Sequence, residues 1–406
     1  MRKRYIEKTG LREVDVTKYY PIIKHPQVIR LKDITQLSFV DTKYRGATHS
    51  RLEHSDVVLH FTDEITNHLV EKECITPYEK INLEIASIVH DIGHMPFSHA
   101  GEFVATKLGR KKRNEHNAKA IELIESEEKD RSGKTLRENI EECKGDPEFV
   151  KEIISKKNYL SKIISHNTLG SDKIGYVLLD VNKTNFQYSM PFFLDIFPYY
   201  YFDGKRLGLE DEEKVPQIKN IQTAYQDMYL YVYFHPNVRF YERVFEKAIE
   251  TLIKNNIISV DELWDIEEFE LKHLMKYNDK TRELFEKIQY EILDEKLFSI
   301  NLSKEDKKQI EYFSNPLNLS EIERTLADEF GCNQKQITCQ LVVIPEKVIP
   351  EDVFIFEENK SLFEKYPLHY KNLVDTAYSH TRMDVYKESE LKINEKDCKR
   401  IVKNLF

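Results

Sequence analysis

Thirteen residues, HDIGHMPFSHAGE from His90 to Glu102, hold three histidines, an aspartate and a glutamate. Imidazole nitrogens and carboxylate oxygens bind divalent cations, and a histidine oriented by a carboxylate is an acid–base unit near neutral pH. The stretch is therefore a candidate metal site with its proton-transfer groups built in. Histidines also crowd around it: eight of the 14 lie between His49 and His116, where an even spread would put about two. Adjacent His90 and Asp91 offer one nitrogen and one oxygen ligand, which is too few to hold an ion. His54, in SRLEHS, and Asp172, opening SDKIGYVLLD, are candidates to complete the set. Two histidines and two aspartates leave coordination positions open and suit Mn, Fe, Ni, Mg or Zn; the sequence does not choose among them. Asp172, Tyr176 and Asp180 fall at i, i+4 and i+8 with Lys173 beside them, so they share one helix face. That face is either a binding surface or a solvated one.

The elements that must carry these groups read mainly as helices. Residues 55–72 place Val58, Phe61, Ile65 and Leu69 on one apolar face. A second helix starts with Thr76 as N-cap, Pro77 in the first turn and Glu79 as capping-box partner, and it ends near Asp91, because Gly93 and Pro96 follow. Helices are further expected over 115–127, 149–165, 171–181 and 219–255, and through most of 261–330. The segment 199–209, with an Asp-Gly turn, reads as a β-hairpin, and 336–345 and 351–358 are strand-like. A boundary near 256–260 would divide a catalytic core, residues 1–258, from a C-terminal region, 259–406, that serves assembly or regulation. The fold class is mainly α, with a helical core, a small hairpin and a mixed α/β C-terminal region.

Composition narrows the classes. The chain has 406 residues, 40% hydrophobic and 32% charged, with few glycines (12) and prolines (13), as expected of a folded helical protein. Net charge is −9, which argues against a general nucleic-acid coat. A local basic run, GRKKR at 109–113, leaves a local anion site open, although a solvated loop or helix end is the first reading of it. Five scattered cysteines with no CxxC pair read as free thiols. The basic N-terminus MRKRYIEKTG is not followed by an apolar segment, so no signal peptide is expected there, and no run is long enough to cross a membrane. A cytoplasmic location is the expectation.

HPQVIRLKDITQLSFV (25–40), GATHSRLEHS (46–55), HDIGHMPFSHAGE (90–102), NEHNAKAIELI (114–124) and SDKIGYVLLD (171–180) occur in this order. Together they resemble the successive motifs of the HD superfamily of metal-dependent phosphohydrolases, named for its H…HD…D metal set. More narrowly, the chain resembles the deoxynucleoside triphosphate triphosphohydrolases, which include bacterial dGTPases and the mammalian enzyme that joins a SAM domain to an HD domain. The likeness covers about residues 17–185 and is looser through VYFHPNVRFYERV (232–244), where His235 and Arg239 would fall near the site.

The resemblance implies that His54, His90, Asp91 and Asp172 hold a divalent metal. It implies that His94, His99, Glu102 and His116 are the catalytic acid–base groups, with His99 and Glu102 able to hydrogen bond. Arg51 and Lys173 would bind phosphates, while Gln36, Tyr176 and Asp180 would surround the sugar and favour deoxyribose. The implied reaction is hydrolysis of a deoxynucleoside triphosphate at the α-phosphate, giving deoxynucleoside and triphosphate. A homo-oligomer and a nucleotide activator belong to the same picture, although the allosteric sites of relatives cannot be traced in this chain. The rivals are another HD phosphohydrolase (a nucleotide phosphatase, phosphodiesterase or single-strand nuclease) and a nucleotide-binding regulator without turnover. On the residues alone, His49 is expected to shape the loop before Arg51, and Trp264 to lie in the core.

Overall fold

The computed structural model describes residues 3–4, 14–108, 116–186 and 190–404. The basic run 109–113 and most of the basic N-terminal segment lie outside the described residues. The N-terminal half is a stack of helices. The Arg51–Glu71 helix begins where Ser50 accepts a hydrogen bond from the Glu53 amide. It packs along both the Pro77–Val89 helix and the Ser171–Thr184 helix. The capping box expected at Thr76 and Glu79 is formed, and the Pro77–Val89 helix ends with His90 as its C-cap. Val57, Phe61, Ile65, Leu83, Ile85, Ile174 and Val177 from these three helices are buried in one core.

A second core lies beneath the 90–102 loop. Met95 and Phe97 from that loop pack with Phe39, Phe240 and Phe245, and with Trp264, which is buried as expected. A third gathers Phe298, Ile322, Leu326, Cys339, Val385 and Val402 in the C-terminal half, and a fourth, with Leu230, Phe234, Val342 and Val348, joins the halves. All five cysteines are free. Among the described residues, no helix is long and apolar enough to cross a membrane.

The hairpin is present as Tyr200–Phe202 antiparallel to Leu207–Leu209. Its second strand pairs in parallel with Phe354–Ile355, which pairs in turn with Lys360–Ser361. A three-stranded antiparallel sheet places Arg382–Lys387 between Glu295–Asn301 and Ile337–Leu341.

Several elements differ from expectation. The helix expected over 149–165 is two, Pro147–Ile154 and Ser161–Ser165, separated where Lys156 adopts a left-handed φ of 57°. The helix expected over 219–255 stops at Asp227, runs on as a wider π-turn over Met228–Tyr233, and restarts at Pro236. Proline has no amide to continue a helix, and His235 caps the new one by accepting from the Asn237 amide. Glu295–Asn301, inside the stretch expected to be helical, is a strand, because its partner 382–387 supplies a ladder that local propensity does not foresee. The strand expected over 351–358 shrinks to Phe354–Ile355.

Gly93 is where the 90–102 loop meets the next helix. A Cβ there would lie 1.9 Å from the His116 carbonyl oxygen and 2.5 Å from the Ala120 amide. Gly93→Ala should therefore push the His116–Ile124 helix off the loop and destabilise the protein by about 1–3 kcal/mol, the usual cost of overpacking. Denaturant unfolding checks this; an unchanged midpoint would show that the two segments are not pressed together.

Candidate metal centre

His54 stands in the first turn of the Arg51–Glu71 helix, His90 and Asp91 at the end of the Pro77–Val89 helix, and Asp172 in the first turn of the Ser171–Thr184 helix. Packing of those three helices brings ligand atoms of His54, His90 and Asp91 within 4.8 Å of one another, and Asp172 adjoins them through His54 and His90. His54 Nε2 lies 3.5 Å from Asp91 Oδ2 and 3.2 Å from Asp172 Oδ1. His90 Nε2 lies 3.3 Å from Asp91 Oδ1 and 3.7 Å from Asp172 Oδ1. His90 Nδ1 points at the Ser87 carbonyl at 2.8 Å, so Nε2 faces the carboxylates. That Nε2 is buried and has no hydrogen-bond partner. A buried unpaired ring nitrogen facing two carboxylates fits a divalent cation, and the mixed nitrogen and oxygen set suits the metals named from the sequence.

The carboxylates are held ionised. Burial alone would raise the Asp91 pKa, but His90, Arg51 and His94 around it bring it well below the usual range. Burial opposes Lys173, His54 and His90 at Asp172, and these cations and donors again win. His90 is pushed the other way: burial lowers its pKa, while Asp91 and Asp172 raise it above the ordinary imidazole value.

The second cluster adjoins the first through Asp91, whose Oδ1 is 3.3 Å from His94 Nε2. His94 Nδ1 lies 2.5 Å from Glu102 Oε1, His99 Nδ1 3.1 Å from Glu102 Oε2, and His116 Nδ1 3.5 Å from the same oxygen. Glu102 thus gathers three histidines. The rings of His94 and His116 stack at 4.0 Å. Burial would raise Glu102, yet His94, His99 and His116 hold it well below the usual carboxylate range. The His99–Glu102 contact forms across a turn and not along a helix, since the helix begins only at Glu102.

The loop between the two clusters is tightly fixed. Phe97 and Ser98 both take left-handed backbone conformations (φ 61° and 55°), which cost energy in residues other than glycine. Phe97 stacks on Phe39 with ring centroids 5.0 Å apart. The Glu268 carboxylate accepts from the Phe97 amide (3.2 Å) and from the Thr35 amide and hydroxyl (3.1 and 3.0 Å). Arg30 donates to the carbonyls of Ile92 and His94 at 2.9 and 3.1 Å.

Both clusters open on one cavity of about 500 Å³. Gln36, Arg51, Lys173, Tyr176 and Asp180 all line it. The arginine is turned inward: its Nη1 donates to Asp91 Oδ2 at 2.5 Å and its Nε to Ser98 Oγ at 2.7 Å, so it braces Asp91 as well as facing the cavity. Lys173 Nζ lies 3.1 Å from Asp172 and 5.0 Å above the Tyr176 ring. Asp180 accepts from the Tyr233 hydroxyl at 2.6 Å and pairs with His49 Nε2 at 2.9 Å. His49, expected from the sequence to shape the loop before Arg51, lies in that loop and is also buried against the Ser171–Thr184 helix. Arg239 lines the cavity, paired with Glu242, while His235 serves as the helix cap.

Sequence reasoning missed the tyrosine wall of Tyr225, Tyr229 and Tyr233, all lining the cavity. Their i, i+4, i+8 spacing was a legible signal. It also missed Ser98 and Glu268, which no spacing announces.

A family model described as HD domain matches residues 51–173, and one described as HD associated region matches residues 205–402. An uncharacterized protein of Methanocaldococcus jannaschii is 27% identical over 380 residues, covering 86% of this chain and 72% of that one. The deoxynucleoside triphosphate triphosphohydrolase SAMHD1 of Mus musculus is 27% identical over 263 residues, 57% of this chain. The match spans only 39% of that enzyme's length. A structure of a phosphohydrolase from Bacteroides thetaiotaomicron superposes with a TM-score of 0.70 at 17% identity, covering 96% of this chain and all of that one, and so shares the fold.

If the four side chains bind a cation, stripping the protein with a chelator should lower its melting temperature and adding Mn²⁺ should restore it. A ligand at a hundred times its Kd adds about 2.7 kcal/mol. Asp91→Ala should abolish both the Mn²⁺-dependent shift and metal retention measured by elemental analysis. A wild-type melting curve indifferent to chelator and metal would contradict the assignment.

Proposed function

We propose, for a chain that belongs to the HD superfamily of phosphohydrolases, that it hydrolyses deoxynucleoside triphosphates at the α-phosphate to deoxynucleoside and triphosphate. The observation that carries this reading is the shared cavity. Around it the His54, His90, Asp91 and Asp172 side chains lie beside the Glu102-centred histidines, with Lys173, Tyr176 and Asp180 also lining it. The partial likeness to triphosphohydrolases supports the same substrate.

His54, His90, Asp91 and Asp172 would hold the divalent metal, which supplies Lewis acidity at the phosphoryl oxygens and an activated water. The chain's own residues do the rest. Lys173 offsets phosphate charge as a point cation, Lys156 lies on the same wall, and Arg51 adds a planar donor next to Asp91. Water oxygen adds to the α-phosphorus, the bond from phosphorus to O5′ breaks, and O5′ leaves as a hydroxyl with a proton from the His94, His99 and His116 group. Glu102 orients that group and stabilises its protonated form.

The sugar wall favours deoxyribose. The Tyr176 ring is almost wholly buried, and its hydroxyl meets that of Tyr229 at 3.4 Å. A ring so fixed would crowd a 2′-hydroxyl. Asp180, with its remaining lone pairs, is an acceptor for a 3′-hydroxyl. The buried Gln36 Oε1, which has no partner in the protein, is a second acceptor.

Incubation of the pure protein with each dNTP and Mn²⁺ or Mg²⁺, with and without a second dNTP, should yield deoxynucleoside and intact triphosphate by ion-exchange chromatography. Monophosphate or pyrophosphate products, or none, would overturn the reading. Glu102→Ala should lower kcat by about 10²–10⁴ while leaving Mn²⁺ affinity near wild type, since it removes the acid–base unit and no ligand. Loss of Mn²⁺ binding in that variant would instead make Glu102 part of the metal site.

A further inference from the structure

Asp172 is the metal ligand supplied farthest along the chain, and it follows a short, crowded turn. Residues 166–170 join the Ser161–Ser165 helix to the Ser171–Thr184 helix. This turn has no slack. A Cβ on Gly170 would lie 2.3 Å from the Ile164 carbonyl oxygen and 2.6 Å from the His166 amide. Inside the turn, His166 Nδ1 accepts from the Thr168 and Leu169 amides at 3.1 and 3.3 Å. Burial lowers the His166 pKa, which keeps its ring neutral and able to accept at neutral pH.

The outer side of the turn is held by one residue from a distant part of the sequence. The Glu351 carboxylate accepts from Lys162 Nζ at 2.6 Å and from the Asn167 amide at 3.0 Å. Its backbone carbonyl accepts from Thr168 Oγ1 at 2.5 Å and from Gln222 Nε2 at 3.1 Å. Glu351 thus grips the turn from both ends of its own structure. It lies on a segment that also forms part of the cavity wall, through Ile344, Glu346 and Lys347. Tyr225 ties that wall down by donating to the Lys347 carbonyl at 2.9 Å.

We propose that Glu351, in the HD-associated region, is a positioning residue for Asp172. It fixes the 166–170 turn and so sets where the first turn of the following helix presents the carboxylate to the cation. Through this grip the C-terminal half of the chain controls metal affinity without contributing a ligand. The proposal rests on His54, His90, Asp91 and Asp172 being the metal set, and it is independent of the substrate.

The test is Mn²⁺ binding by isothermal titration calorimetry and the visible spectrum of the Co²⁺ form, on the full chain without nucleotide. Glu351→Ala should weaken Mn²⁺ binding about tenfold to a hundredfold, as loss of a group that orients a ligand does. It should also change the Co²⁺ absorption as Asp172 withdraws. Glu351→Gln, which keeps an oxygen acceptor for the Asn167 amide, should recover most of the affinity. Should Glu351→Ala fail to fold, Thr168→Val, which removes one of the two backbone-directed bonds to Glu351, should still weaken Mn²⁺ binding severalfold. Wild-type protein that binds no Mn²⁺ would sink the metal set itself. Wild-type affinity and an unchanged Co²⁺ spectrum in the folded variants, even with a lowered melting temperature, would overturn the role of Glu351.

Discussion

Two carboxylates drawn out of bulk water, the buried Asp91 and the half-buried Asp172, impose the constraint on which the rest of the structure depends. Moving an ionised carboxylate out of water costs several kcal/mol even after relaxation, roughly, so it is tolerated only with compensating charge and hydrogen bonds around it. Asp91 is 4% exposed and has Arg51, His54, His90 and His94 within reach. Asp172 has His54, His90 and Lys173. The compensation comes from five side chains on three segments, so the site exists only when the three central helices are packed. Close packing of Val57, Phe61 and Ile174 between them is therefore also what makes the electrostatics hold.

The same logic extends outward to the acid–base cluster. Glu102 is a third carboxylate drawn in, and it is offset by three imidazoles. Holding them demands a loop that turns sharply enough to return His99 and Glu102 to His94. The left-handed Phe97 and Ser98 supply that turn at an energetic cost. The cost is offset by burying Met95 and Phe97 in an aromatic core and by the Glu268 carboxylate bonding the Phe97 amide. Ser98 then joins the loop to the arginine that bonds Asp91, accepting from Arg51 on one side and donating to the Thr35 carbonyl on the other.

The C-terminal half is not an appendage to this machinery. It supplies Glu268 under the 90–102 loop, a parallel strand to the hairpin, one wall of the cavity and the Glu351 grip on the turn before Asp172. The cavity is thus bounded by side chains from both halves of the chain, and its shape depends on how they dock. The buried cluster in which Arg243 bonds Glu246, Glu250 and Glu323 is one such docking contact, since it ties the Pro236–Lys254 helix to the Pro316–Phe330 helix.

Much of the site was legible in the sequence because its signals are local. The HD pair closes a helix whose capping box at Thr76 and Glu79 and whose apolar period set its start and phase. The Asp172, Tyr176 and Asp180 stripe needs only a 3.6-residue repeat to share a face, and the HAGE segment carries its own turn. The convergence of His54, His90, Asp91 and Asp172 was an inference from a resemblance; periodicity could not place three helices against one another. Contacts between residues far apart in sequence were not legible at all. His49 bonded to Asp180, Glu268 under Phe97, the strand at 295–301 and Glu351 on the Asp172 turn each join partners that neither reveals alone. The sequence by itself determined which residues could do chemistry and which helix faces carry them, because side-chain type and helical period are properties of neighbours along the chain. Only the tertiary structure decided which of them meet, because that depends on how buried faces pack and on which distant partner satisfies each buried charge.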